Sequence, residues 1–112
     1  MARANFPGMG GGGNMQQIMK QAQKMQQDVA RIQQEIAERE FTATVGGGAV
    51  SATAYGRKEL KGIAIDPACV DPDDVEMLQD LILSAVNEAL RMADETMASE
   101  MNRVTGGMNL GF

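Results

Sequence analysis

The chain has 112 residues, a formal charge of −5, no His and one Cys. Without His, neither a Ser-His-Asp nor a Cys-His nucleophile system can form. A lone Cys69 excludes an intramolecular disulfide and a structural zinc site. No apolar run approaches the about 20 residues of a membrane span, and residues 1–13 lack the apolar segment of a signal peptide. We therefore expect a small cytoplasmic protein with no cofactor, metal, small-molecule substrate or enzymatic activity.

Glycine marks both ends of the chain. Residues 1–13 are predicted to form a flexible arm, because Pro7 and five glycines leave little apolar surface to offset the entropy of ordering. The run Gly8–Gly13 matches the dinucleotide-binding pattern G-x-G-x-x-G, but no strand precedes it, so a flexible arm is the preferred interpretation. A second flexible segment is predicted over residues 105–112, which leaves one folded domain over residues 14–104.

The first predicted element is a long helix from an Asn14 N-cap to about Glu40. Its apolar residues recur at alternating spacings of three and four, the period of a coiled-coil seam. The flanking positions offer no complementary charges, so an extended parallel zipper is not indicated. The seam consists of Met15, Ile18, Ala22, Met25, Val29, Ile32 and Ile36.

The apolar period then changes to two, which predicts a meander of three antiparallel strands. The strands are expected at residues 41–45, 49–55 and 60–65. Gly46-Gly47-Gly48 supplies the first turn, and the second lies around Gly56. The fold class is therefore α+β.

A second long helix is predicted from an Asp71 N-cap, with Pro72 in the first position, to about Arg103, before Gly106-Gly107. It carries two apolar stripes and so needs two packing partners. Helices of about 40 Å or more overhang strands of about 20 Å, which favours a homodimer. The residues assigned to the core or dimer seam are Met15, Ile18, Met25, Val29, Leu81 and Leu90.

Positive and negative charges are segregated along the chain. Residues 1–27 hold three bases and no acid, whereas residues 66–100 hold ten acids and a single base. One basic group lies on the first helix opposite the apolar seam, and a second lies at the turn before the third strand. Because Lys and Arg neutralise phosphates, both groups are candidate nucleic-acid contacts: Lys20, Lys24, Arg31, Arg57, Lys58 and Lys61.

Other interpretations fit the same residues. A Lys- and Gln-rich helix face is typical of a solvated surface, and a net negative charge argues against tight unaided DNA binding. The acidic second helix could instead dock a basic protein, which would make the chain a protein-interaction adaptor. The acids from Asp71 to Asp80 are better explained by helix capping than by a cation site, because the spacing of a calcium loop is missing. Cys69 is expected to be a small packed side chain.

Several segments, in this order and spacing, resemble the YbaB/EbfC family of bacterial nucleoid-associated proteins. The similarity spans residues 14–112. It is carried by Asn14–Gln26 in the first helix, Ile63–Pro67 at the strand-to-helix junction, Leu78–Ile82 and Ala85–Ala89 in the second helix, and Thr105–Met108 with Gly111-Phe112 in the tail.

This resemblance implies an α-β-β-β-α subunit in a tweezer-shaped homodimer. It implies binding of double-stranded DNA with little sequence preference, which alters DNA conformation, and a location on the nucleoid. The family has no sharply defined motif that reads nucleobases. The resemblance therefore implies DNA contacts only in a general way, from exposed Lys and Arg residues on helices and loops. The six basic residues named above fit this description.

Overall fold

The computed structural model describes residues 12–109, with side chains described over residues 15–105. The elements are helix α1 (Gly12–Glu38), strands β1 (Glu40–Val45), β2 (Val50–Tyr55) and β3 (Leu60–Ile65), a 3-10 turn (Pro67–Cys69) and helix α2 (Val75–Asn109). This α-β-β-β-α order confirms the predicted fold class. Residues 1–11 of the predicted arm and residues 110–112 of the predicted tail lie outside the described residues.

Both long helices extend further than predicted at one end. α1 begins at Gly12, so Asn14 is a helical residue and the prediction that it is the N-cap was wrong. α2 passes through Gly106-Gly107 and ends at Asn109, beyond the predicted end near Arg103. Helix propagation is cooperative, and a glycine costs only about 1 kcal/mol relative to alanine, so these glycines do not stop the helices.

The start of α2 also differs from the prediction. Asp71 does not cap the helix, because its carboxylate accepts the Asp73 N–H at 2.9 Å within a turn. Asp74 is the cap: its Oδ1 accepts the Met77 N–H at 3.2 Å, the N-cap-to-N3 bond of a helix start. Pro72 suits the second position of a turn as well as a first helical position, which is why the sequence alone did not separate the two.

The three strands form one antiparallel sheet in the order β1-β2-β3. Gly46, Gly47 and Gly48 all have positive φ in the β1–β2 turn, a region that L side chains rarely adopt. On the outer face, Thr42 pairs with Thr53 and their hydroxyls hydrogen-bond at 2.8 Å. The inner face is apolar and faces α2.

Two apolar clusters build the core. In the first, α2 lies on β1 and β2 through alanines: Ala85 and Ala89 are fully buried, together with Ala52 and Ala54 of β2. In the second, Ile32 and Ile36 of α1 pack with Phe41 and Ala93, flanked on α2 by Met92, Met97, Met101 and Val104. The second cluster joins the last turns of α1 to the C-terminal half of α2.

The first half of α1 is exposed, in contrast to its last turns. From residue 15 to residue 24 every described side chain is exposed, whereas Ile32 and Ile36 are buried. α1 therefore projects away from the sheet. Within residues 12–109, no helix combines the length and the hydropathy that crossing a membrane requires.

Gly56 is the position where α1 meets the second turn most closely. Its N–H donates to the Arg39 carbonyl at 2.9 Å, and a Cβ built on Gly56 would lie 1.9 Å from the Ile36 carbonyl oxygen. No side chain fits there without moving the backbone of α1.

We predict that Gly56→Ala lowers the free energy of unfolding by about 3 kcal/mol, because the methyl group overpacks a backbone contact. The matched control is Gly62→Ala in β3, where a Cβ would meet nothing within 4 Å. Urea unfolding followed by circular dichroism measures both. Equal stabilities of the two variants would contradict the proposed close approach.

Candidate nucleic-acid interface

The basic face of α1 presents two lysines whose charges are not compensated by ion pairing. Lys20 and Lys24 are exposed, and neither forms an ion pair with a described side chain. Asp28, one turn beyond Lys24, pairs with Arg31 instead at 3.5 Å. Arg31 also contacts Glu35 at 3.4 Å. Of the three predicted contacts on α1, Arg31 is thus balanced by acids, whereas the two lysines remain available.

The second basic group is fully engaged with acids. Arg57 Nε lies 2.7 Å from Glu59 Oε1, and Lys58 pairs with Asp94 of α2. Lys61 Nζ lies 2.7 Å from Glu40 Oε2 across the sheet. The hydrogen bond that Arg57 donates to the Glu59 carboxylate raises the pKa of Arg57.

These contacts give the turn a structural role. Arg57 donates to the Ala37 carbonyl of α1 at 3.3 Å, its guanidinium lies 4.1 Å from the centre of the Tyr55 ring, and Lys58 reaches α2. The turn therefore links the end of α1 to the middle of α2. Since Lys24 is 13 residues before Ala37, it lies about 20 Å away along the helix. The two lysines of the first predicted group are therefore separate in the fold from the second group.

Arg39 is a further basic residue of this surface that was not among the predicted contacts. It follows α1 directly, and its guanidinium lies 5.4 Å from the centre of the Phe41 ring. A groove between α1 and α2 brings it together with Arg31 and Arg103, alongside Glu35 and Glu100. Arg103 belongs to α2, so only the pairing of the helices reveals this group. Its two glutamates offset most of the positive charge.

An uncovered apolar face on β3 was also missed. Leu60, Ile63 and Ile65 are 42%, 43% and 37% exposed, although they pair with the buried Ala54, Ala52 and Val50. A β-bulge at this point of the β2–β3 pairing puts Leu60 on the same face as Ile63, which regular alternation would not do. α2 lies over β1 and β2, so this face of β3 has no cover within the described residues.

The residues predicted for the core or dimer seam differ in how far they are buried. Leu81 and Leu90 are half-buried against the first core cluster. Met25 and Val29 are half-buried on α1. Met15 and Ile18 are 58% and 61% exposed. The α1 seam is thus covered near the sheet and open towards the N-terminus.

Two acidic residues of α2, Glu88 and Glu95, are paired with an arginine of the same helix. Arg91 bonds both Glu88 and Glu95, and the Arg91 guanidinium lowers the pKa of Glu88. Among residues 12–109 there is no group of three or more acidic or Cys side chains arranged to hold a metal ion. Cys69 is half-buried beside the first core cluster, which confirms its predicted packing role.

A helix that projects from a small sheet and carries exposed lysines is suited to contacts with an extended polyanion. The chain belongs to the YbaB/EbfC DNA-binding family, whose model matches residues 10–108.

Relatives along the whole chain support this membership. A nucleoid-associated protein of Clostridium novyi is 60% identical over 110 residues, which is 98% of this chain and 96% of the relative. Another, of Clostridium acetobutylicum, is 62% identical over 98% of this chain and 97% of its own. The crystal structure of an uncharacterized protein from Helicobacter pylori has the same fold, with a TM-score of 0.60 and 24% identity over 75% of this chain and 88% of that one.

The ion pairs predict different reactivity among the lysines. Glu40 raises the pKa of Lys61, so less Lys61 is present as the reactive free amine at a given pH. We expect an amine-acetylating reagent at about pH 8 to modify Lys20 and Lys24 several-fold faster than Lys61, as measured by peptide mass spectrometry. Glu40→Gln should speed the modification of Lys61. Equal rates for all three lysines in the unaltered protein would refute the pairing.

Proposed function

We propose that this protein is a nucleoid-associated protein of the bacterial cytoplasm that binds double-stranded DNA as a homodimer. Its contacts go mainly to the phosphate backbone, with little sequence preference. They alter DNA conformation by bending, bridging or compacting it, with effects on gene expression. The observation that carries the proposal is the pair of exposed lysines on the projecting half of α1, which form no ion pair with any side chain of residues 15–105.

The surroundings of the two lysines fit backbone contacts. The same half of α1 is rich in glutamine, whose amide can donate to phosphate oxygens or to base edges. No acid precedes Asp28 in the chain, so the positive charge of this segment is not offset locally. Phosphate contacts position a protein on the duplex but carry no sequence information, which accounts for low preference.

The uncovered face of β3 supports the dimer. Leu60, Ile63 and Ile65 lie side by side on the sheet face that α2 covers elsewhere. Ile82, Leu83 and Val86 line a second open apolar groove on α2. A second copy covering the β3 face would bury these side chains and present two α1 arms to one duplex. Two arms that contact separate points of one duplex would either bend the DNA between them or hold it against bending.

The lysine pair can be tested against a charge-matched control. We predict that Lys20→Gln with Lys24→Gln lowers affinity for a random duplex by about tenfold or more at low salt. It should also reduce the slope of log K against log salt by about 0.9 for each phosphate that the variant no longer neutralises. Lys58→Gln with Lys61→Gln removes the same charge from ion-paired lysines and should change little. Fluorescence anisotropy at several salt concentrations measures both.

Equal weakening by the two double variants would mean that net charge alone matters. That result would contradict the proposal that the α1 lysines contact DNA. The absence of binding by the unaltered protein, even at low salt, would favour the adaptor function described above. In that case the acidic surface of α2 becomes the surface to examine for a protein partner.

The dimer surface can be tested with neighbouring residues on opposite faces of one strand. Ile63→Asp should yield monomers, because it places a charge in the apolar contact. Ala64→Asp lies on the outer face, opposite Ser51, and should leave the dimer intact. Sedimentation equilibrium at micromolar concentration distinguishes them. A monomeric unaltered protein, or an Ile63→Asp variant that dimerises normally, would disprove this interface.

A further inference from the structure

Arg39, directly after α1, is a third basic residue whose charge the fold leaves unpaired. Its side chain is exposed. Within residues 15–105, the Lys and Arg side chains that form no ion pair are those of Lys20, Lys24 and Arg39. The two lysines are the proposed DNA contacts. In this part of the chain, Arg39 is therefore the remaining base that is available to an anion.

The acids nearest to Arg39 across the helix pair are engaged with other arginines. In the groove between α1 and α2 that Arg39 lines, Glu35 lies 3.4 Å from Arg31, and Glu100 lies 2.5 Å from Arg103. The groove is thus lined by three arginines and two glutamates. Because each glutamate already has an arginine, the remaining positive charge of the groove is that of Arg39.

The two acids beside Arg39 in the sequence also have other partners. Glu38 accepts a hydrogen bond from Gln34 at 3.2 Å, and Glu40 lies 2.7 Å from Lys61. Neither carboxylate pairs with the Arg39 guanidinium. An unpaired guanidinium attracts anions, and its planar fork of N–H donors matches two oxygens of a phosphate group.

Hydrogen bonds of the backbone and the ring of Phe41 hold Arg39 in place. The Arg39 N–H donates to the Ile36 carbonyl at 3.0 Å, and the Arg39 carbonyl accepts the Gly56 N–H at 2.9 Å. The guanidinium lies 5.4 Å from the centre of the buried Phe41 ring. The ring contacts the face of the guanidinium, whereas its N–H donors point outwards in its plane. A side chain ordered in this way loses less entropy on binding than a free one.

The distance from Arg39 to the two lysines sets the length of the positive surface. Arg39 follows Lys24 by 15 residues and Lys20 by 19, so it lies about 22 and 28 Å away along α1. Its hydrogen bond to Ile36 keeps it near the helical path, on which 15 residues end about 60° around the axis from Lys24. Arg39 is thus on the lysine side of α1. The separation exceeds the about 12 Å width of the DNA major groove.

We propose that Arg39 is a second phosphate-binding point, which contacts a phosphate of the DNA backbone other than those bound by Lys20 and Lys24. This inference rests on the proposed function, because it names a further contact of the same DNA-binding surface. The two lysines lie on adjacent turns and leave the direction of α1 on the duplex open. A contact about 22 Å further along the helix fixes that direction, as phosphate contacts commonly do.

Arg39→Gln can be compared with Arg91→Gln, which removes the same charge from an arginine paired with Glu88 and Glu95. By fluorescence anisotropy with a random duplex at low salt, Arg39→Gln should lower affinity several-fold. It should also reduce the slope of log K against log salt by about 0.9 for each phosphate that is no longer neutralised. Arg91→Gln should change both quantities little. Arg39→Lys keeps the charge but not the fork of donors, so it should retain the slope and lose less affinity.

Three results would overturn the proposal. The first is an affinity of Arg39→Gln equal to that of the unaltered protein, and the second is equal weakening by Arg39→Gln and Arg91→Gln. The third is a loss of affinity with an unchanged salt slope, because Arg39 would then act by positioning α1 and not on a phosphate. The backbone bonds of Arg39 do not need its side chain, so thermal unfolding of Arg39→Gln, followed by circular dichroism, should match that of the unaltered protein.

The same titrations separate this inference from the proposed function. Combining Arg39→Gln with Lys20→Gln and Lys24→Gln should multiply the two losses of affinity, because sites more than about 10 Å apart act independently. If the lysine variant weakens binding and Arg39→Gln does not, the inference about Arg39 fails and the proposed function stands. If Arg39→Gln alone weakens binding, Arg39 remains a contact and the assignment of the lysines fails. An unaltered protein that binds no DNA would contradict both.

Discussion

The contact between α2 and the sheet is made by alanines, and much of the structure follows from this. Ala85 and Ala89 of α2 are fully buried together with Ala52 and Ala54 of β2. Among residues 15–105, Val50 is the largest side chain that is fully buried. Small side chains allow close approach but bury little apolar area per residue. The helix also covers two strands and leaves the apolar face of the third open. A subunit built in this way would gain stability if a second copy covered that face, as in the proposed homodimer.

Electrostatics then determines which basic residues remain for a ligand. The acids are concentrated after residue 65, and one of them, Asp94, pairs with Lys58 of the second turn. The other two bases of that group pair with Glu59 and Glu40. Exposed ion pairs of this kind add little stability, yet they occupy charges that would otherwise attract phosphates. The lysines in the first half of α1 form no such pairs with the described side chains, because this half of the helix projects beyond the acidic residues. A protein with a net charge of −5 can thus present a positive arm.

Periodicity was sufficient to predict the order and nature of the elements. The 3,4-spacing of α1 and the alternation of β2 are local signals, and the structure agrees with both. Helix ends were predicted less well, since Asp71 and Asp74 are both good caps and only the turn around Pro72 decides between them. Non-local features could not be predicted in this way. The bulge that aligns Leu60 with Ile63, the Arg39–Arg103 groove and the pairing of Lys58 with Asp94 each depend on which elements become neighbours. The resemblance to a known family supplied the expectation of DNA binding. The ion pairs, which only the structure reveals, are the reason that Lys20 and Lys24 are proposed as the main contacts among the six candidate residues.

The most direct test of phosphate-backbone binding is a titration of the full-length protein by fluorescence anisotropy. It would use two unrelated duplexes of about 30 base pairs at about 50 and 200 mM salt, the range over which phosphate contacts are most evident. We expect saturable binding of similar strength to both duplexes, weakening steeply as salt rises. Binding whose affinity does not change with salt concentration, or that occurs with only one duplex, would contradict recognition through the DNA phosphate backbone.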